Sequence, residues 1–260
     1  MDYFQKIEEK PKDELTWNIP EKKQGIINIV GGNSQSFKNE IKIAEYLNVK
    51  FPIDVLNVVL PDTLKNQLPS FPNFKFLKST DSGSFKDGTE IAKTFNSGDF
   101  NLALGDLSKN AITGKAFFSA CKEAERPTIL TRDAVDLFIE NLDEAGLMNE
   151  NLIFFASIAQ LQKLLRAVYY PKMLLLSQSL VQVVDILHKF TLSYPISIIT
   201  LHNEQILIVK NGNVKGVPII KSGYSPFMLF QGELAAKIVA LNLYNPNNFL
   251  NATISAVFNE

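Results

Sequence analysis

Residues 98–138 read GDFNLALGDLSKNAITGKAFFSACKEAERPTILTRDAVDLF, and this stretch decides the fold. Asn101 to Leu104 is an apolar run with Phe100 behind it, as expected of a strand buried on both faces. From Asn110 to Ala124, Ile112, Ala116, Phe117, Ala120 and Cys121 recur on one side of a predicted helix. Pro127 to Leu130 is the next strand, ending in Thr131-Arg132-Asp133. Strand, helix and strand in this order specify parallel pairing through a helical crossover.

The unit recurs on both sides. Upstream, Gly25 to Val30 is a β-branched run closed by Gly31-Gly32-Asn33, and Ser34 to Leu47 carries apolar residues at helical spacing, with Ser34 or Ser36 as N-cap. Ile53 to Leu60 is a strand, and Pro61 opens a short helix through Leu68. Ser79 to Gly88 reads as a surface loop. Downstream, Asn151 to Phe155 is a strand before a helix over Ser157 to Val168. A longer helix is predicted over Lys172 to Lys189, then a strand over Ile196 to Thr200. Ile206 to Lys210 and Val214 to Ile219 form a hairpin around Asn211-Gly212-Asn213. Helices over Phe227 to Tyr244 and Asn248 to Phe258 close the chain. Met1 to Lys23 is polar, with prolines at 11 and 20 and Trp17 as its aromatic anchor. The expectation is an arm over residues 1–24 and one α/β domain over 25–260, mostly parallel with a late antiparallel hairpin.

Composition narrows the partners. Of 260 residues, 46% are hydrophobic and 20% charged, enough apolar surface for a substantial core. A formal net charge of -1 disfavours nucleic acid, which demands a basic excess. One cysteine, Cys121, excludes an internal disulfide, and two histidines, His188 and His202, leave few transition-metal ligands, so no metal site is expected. The charged start has no signal-peptide run, and no apolar stretch approaches the ~20 residues that span a bilayer. A cytoplasmic protein with no membrane partner is the expectation.

Several residues carry chemical promise, each with a plainer reading. Gly31-Gly32-Asn33-Ser34 places backbone amides at a helix start, where an anion can sit, or is a simple strand-to-helix turn. Asp133 follows a strand at the end where open α/β sheets gather ligands, or is a carboxylate favoured by the helix dipole. Gln231-Gly232-Glu233 lets backbone approach a ligand and supplies a base, or is a helix first turn. His202 ends a strand beside Asn203 and Glu204.

The order of these pieces resembles the ADP/ATP-dependent NAD(P)H-hydrate dehydratases of the ribokinase-like superfamily. IINIVGGNSQSFKNEIKIAEYL is similar to their first strand, glycine turn and helix, and DVLNVVLPDTLKNQLP to their second unit. The stretch from Gly98 to Phe138 is the closest, and the likeness runs from about Leu15 to the C-terminus. It implies a three-layer α/β/α sandwich, with ATP or ADP and Mg²⁺ if the protein is active and no cofactor otherwise. It also implies a substrate side at Gly32, Asn33 and Asp133, a nucleotide side at Gln231, Gly232, His202 and Asn203, and Glu233 as the catalytic base.

Departures accompany the likeness. The family's Gly-Pro-Gly-Leu-Gly turn is Leu104-Gly105-Asp106-Leu107-Ser108 here. Its Asp-Ala-Asp becomes Thr131-Arg132-Asp133, and its Pro-His-x-x-Glu segment becomes Ala156-Ser157-Ile158-Ala159-Gln160. Leu201 stands at the phosphate lysine, and Leu229-Phe230-Gln231-Gly232-Glu233 at the Gly-Gly-Ser-Gly-Asp anion hole. Replacing Asp by Glu moves a base by ~1 Å, worth ~100-fold in rate. The best description is therefore a divergent NAD(P)H-hydrate dehydratase-like protein with weak or lost activity. The alternatives are a catalytically silent nucleotide-sensing or partner-binding protein and a small-metabolite kinase. Relatives of this kind assemble into oligomers, and Leu164, Leu165, Tyr169 and Tyr170 offer apolar surface for a homo-oligomer.

Overall fold

The computed structural model describes residues 2–9, 19–69, 73–143 and 146–258. Its centre is a ten-stranded sheet among the described residues, in the order β1-β10-β9-β8-β7-β6-β5-β2-β3-β4. In chain order the strands are β1 Phe4–Lys6, β2 Gln24–Gly31, β3 Ile53–Pro61, β4 Phe74–Leu77, β5 Phe100–Gly105, β6 Thr128–Thr131, β7 Leu152–Phe155, β8 Ser197–His202, β9 Gln205–Lys210 and β10 Asn213–Pro218. β9 runs antiparallel to β8 and to β10, and every other pairing is parallel. The helices are α1 Lys38–Lys50, α2 Gly88–Ser97, α3 Ala111–Lys122, α4 Arg132–Glu140, α5 Ile158–Ala167, α6 Leu180–Ser193, α7 Glu233–Tyr244 and α8 Phe249–Val257.

Alternation along the strands builds two cores. Ile27 and Ile29, Leu102 and Leu104, Ile153 and Phe155 face the layer of α1, α7 and α8. Val30, Ala103, Leu130 and Phe154 face the layer of α2 to α6. Burial on both faces explains why the strand sequences are near-continuously apolar. The exceptions form a buried amide row. Asn57 donates to Asn28 at 2.8 Å, Asn28 to Asn101 at 3.1 Å, and Asn101 to Thr128 at 3.1 Å. Asn28 and Asn101 also donate to the Thr94 and Phe95 carbonyls at the end of α2, at 2.7 and 2.9 Å. These bonds cross β3, β2, β5 and β6 in register and satisfy polar groups that burial would otherwise penalise.

Several elements differ from the sequence expectation. α1 starts at Lys38, because Asn33 holds an Asx turn: its Oδ1 accepts from the Gln35 and Ser36 amides at 2.8 and 3.1 Å. The helix expected from Lys172 starts at Leu180, set by a capping box between Ser179 and Gln182. The helix expected from Phe227 is broken by Gly232 at φ 108°, leaving a 3-10 turn over Met228–Gln231 ahead of α7. Only a 3-10 turn, Asp62–Leu64, follows β3. The loop after Ser79 is anchored by Phe85, which is fully buried. The N-terminal segment contributes β1 to the sheet edge, and Trp17 lies outside the described residues. Leu164 and Leu165 are core residues, Tyr170 packs on Phe190 with rings 5.1 Å apart, and Tyr169 is exposed. No described helix is long and apolar enough to cross a membrane.

Candidate functional site

The parallel strands end together at one pole of the sheet, where open α/β folds place ligands. β2 and β5 pinch there: the Gly32 amide donates to the Gly105 carbonyl at 2.9 Å, beside a register shift between Val30 and Gly31. A Cβ on Gly31 would strike Oε1 of Glu40, and one on Gly105 would strike Oδ1 of Asp133. Two carboxyls therefore occupy the space that the two glycines leave open.

Asp106 is the hub. Its carboxylate receives a two-pronged bond from Arg132, at 2.9 and 2.8 Å. Its amide donates to Asp133 Oδ1 at 2.7 Å, and its carbonyl accepts from Asn33 Nδ2 at 2.6 Å. Asp106 and Arg132 both have left-handed backbone, φ 54° and 53°, an arrangement that costs non-glycine residues energy and concentrates at functional sites. Arg132 is held further by Gln160, which donates to its carbonyl at 2.7 Å. Gln160 also belongs to the capping box that starts α5. Asp106, Arg132 and Gln160 thus meet in one hydrogen-bonded cluster.

Behind the cluster lies Glu40, fully buried, with neither carboxyl oxygen bonded to a described residue. Burial first, and then the charges of Asp106 and Asp133, push its carboxyl up to about 8. Glu40 is accordingly a neutral acid near pH 7. Burial also raises Asp133, against the opposing pull of the Asp106 amide and the Arg132 charge.

The second half of the site is built by the turn into α7. Gly232 adopts φ 108°, and a Cβ there would collide with Cδ1 of Leu104. Leu229 is fully buried, and Phe230 packs against Phe155 with rings 5.3 Å apart. Glu233 accepts from the Tyr224 hydroxyl at 3.0 Å. Burial and the Glu233 charge raise Tyr224 well above the ordinary phenol value. The Gln231 carbonyl accepts from Asn39 at 3.2 Å. His202 is buried, and its Nε2–H donates to the Gln178 carbonyl at 2.8 Å, tying the segment before α6 to the end of β8. Asn203 and Glu204, at φ 45° and 60°, form the tight turn to β9.

The structure therefore brings Gly32, Asn33 and Asp133 into one cluster. It sets Gln231, Gly232 and Glu233 beside them across Leu104 and Asn39, and places His202 and Asn203 apart from them at the β8 to β9 turn. Sequence reasoning did not single out Asp106, Arg132, Glu40 or Tyr224. Glu40 had a signal, since it shares a helical stripe with Ile43, Ala44 and Leu47.

No protein-family model matches the chain, and no curated protein matches it. Solved structures do. A hypothetical protein from Streptococcus mutans superposes with TM-score 0.67 at 13% identity, over 96% of this chain and 88% of that one. A ribokinase-like superfamily protein from Enterococcus faecalis gives 0.63 at 13%, over 98% and 86%. The fold is ribokinase-like. The ADP/ATP-dependent NAD(P)H-hydrate dehydratase of Bacillus subtilis, crystallised with ATP and Mg²⁺, gives 0.60 at 11% identity, over 95% and 85%. Such likenesses concern the ribokinase-like scaffold, and the site speaks for itself.

The residues at the turn into α7 do not fit a bound ATP. Leu104 lies against Gly232 where a Cβ would point, Leu229 is fully buried and Phe230 packs on Phe155, so apolar side chains crowd this turn. Arg132 already holds a carboxylate.

Proposed function

We propose that this chain is a catalytically silent, NAD(P)H-hydrate dehydratase-like member of the ribokinase-like superfamily that acts by binding. The observation that carries this reading is the Asp106–Arg132 fork. Asp106 offers Arg132 the two oxygens that a ligand's carboxylate or phosphate would offer, so the anion-recognising group is satisfied from within the chain. The carboxylate in the position of the superfamily's base, Glu233, is bonded to Tyr224, and Asp133 is bonded to the Asp106 amide. A base must reach the proton it removes, and both carboxylates are turned to other partners.

The experiment is direct. Hydrated NADH is incubated with the protein, Mg²⁺ and either ATP or ADP, and absorbance in the reduced-nicotinamide band is followed. No recovery above the protein-free rate is expected. Recovery that disappears in Glu233→Gln would establish the other reading, a working dehydratase. That reading draws its support from the fold shared with the Bacillus subtilis enzyme and from the retained Gly32, Asp133 and Gly232.

A further inference from the structure

The outer edge of β10 is covered by one short strand, β1, of three residues. β1 runs parallel to β10, with Phe4 opposite Val214, Gln5 opposite Lys215 and Lys6 opposite Gly216. The Val214 amide donates to the Tyr3 carbonyl and the Ile7 amide to the Gly216 carbonyl, each at 2.8 Å. The 17 residues 7–23 then separate β1 from β2, which lies seven places away in the sheet. A terminal strand this short, on a long tether, opens at a low free-energy cost.

Its side chains sit in places made by other elements. The Tyr3 ring stacks on His188 of α6, with centroids 3.7 Å apart and planes 9° apart, and its hydroxyl donates to Asp185 at 3.2 Å. The Phe4 ring lies over Gly216, where a Cβ would come within 3.1 Å of it. Lys215 donates to Gln5 at 2.6 Å. These places are held without β1. β10 pairs over six residues with β9. His188 Nδ1–H donates to the Gly212 carbonyl at 2.5 Å, and Asp185 is paired with Lys189 at 2.9 Å. A surface already in its bound shape spares a ligand the cost of ordering it.

We infer that the β10 edge and the adjoining face of α6 form a strand-addition site for an extended partner peptide with two adjacent aromatic residues, and that β1 is its tethered occupant. Backbone bonds along β10 supply affinity, while the His188 ring and the gap over Gly216 supply selectivity. The chemistry of the ligand is that of the segment already seated: tyrosine on His188, phenylalanine over Gly216. A tethered arm competes at a millimolar effective concentration, so the identical arm of a second copy does not displace it at micromolar protein, and the partner must bind more tightly than β1. The assignment stands whether the pole where the strands end is active or silent.

The test uses the full chain with its arm disabled, Tyr3→Ser/Phe4→Ser, and a fluorescent peptide of residues 1–9 followed by anisotropy. The peptide should bind this variant about tenfold or more tighter than the wild type, whose own arm competes. The same peptide with serine at both aromatic positions should not bind. Adding Gly216→Val, which fills the place of the Phe4 ring, should weaken peptide binding about tenfold. Position is read independently in a chain whose arm is intact. With oxidised glutathione present, a peptide carrying cysteine in place of Gln5 should cross-link to Lys215→Cys and not to Lys115→Cys on α3, the native Cys121 being buried. Four results would overturn the assignment: no binding of millimolar peptide to the disabled chain, equal binding of the serine peptide, equal cross-linking at both positions, or a cross-link between Gln5→Cys and Lys215→Cys on separate full-length copies at micromolar concentration, which would give the edge to a second copy.

Discussion

Glu40 has a carboxyl fully removed from water and bonded to no described residue, beneath the Gly31 turn. Its folded-state value of about 8 lies above the ordinary 4.5, so the folded protein holds a proton there that the unfolded chain releases. The contribution is whole below about pH 4.5 and is lost as pH rises toward 8. Glu40→Gln, which mimics the neutral acid, should leave the melting temperature nearly unchanged at pH 5 and raise it at pH 8.5. A difference that stays constant with pH would show that the carboxyl does not titrate in this window. Asp106 gives a complementary prediction. Asp106→Ala removes the internal anion from Arg132 at a cost of about 1–3 kcal/mol. Inorganic phosphate should then stabilise the variant against heat and leave the wild type unmoved. Equal response of the two proteins would mean that Arg132 is not an anion-recognising group held in reserve.

The elements that sequence exposes best are the long apolar ones. β5, α3 and β6 were readable because a strand buried on both faces must be apolar throughout and its crossover helix must carry a stripe. Short edge strands were not: β1 and β4 have three and four residues and take their structure from their neighbours. α6 was misplaced because the Ser179–Gln182 box, rather than apolar periodicity, sets its start. Glu40 was legible in principle from its stripe, whereas the Asp106–Arg132 bond joins the loop after β5 to the first residue of α4, which nothing local connects. The same distinction applies to the asparagine row. Asn28 sits inside the apolar run of β2, and it bonds β3, β5 and α2 at once. Asn28→Leu would strand the Asn57 side-chain amide and the Asn101 side-chain carbonyl, at about 1–3 kcal/mol for each buried group left unpaired. Chemical denaturation should show a loss of at least 2 kcal/mol, and a neutral outcome would mean that the row is dispensable to stability.

On the scale of the whole molecule, the two poles of the sheet differ in how their charged side chains are paired. Where the strands end, the polar groups bind one another: Arg132 to Asp106, Asp133 to the Asp106 amide, Glu233 to Tyr224. Where they begin, Arg126, Lys210, Asp99 and Glu150 border a cavity with no ion pair among these described residues. On the reading proposed above, the internal bonds at the first pole take the place of ligand contacts, and the ribokinase-like fold stands without a nucleotide. Calorimetric titration of the wild-type chain with ATP and with ADP, each with Mg²⁺, tests this most directly. The account predicts no measurable heat of binding into the millimolar range. Micromolar affinity for either nucleotide would contradict it.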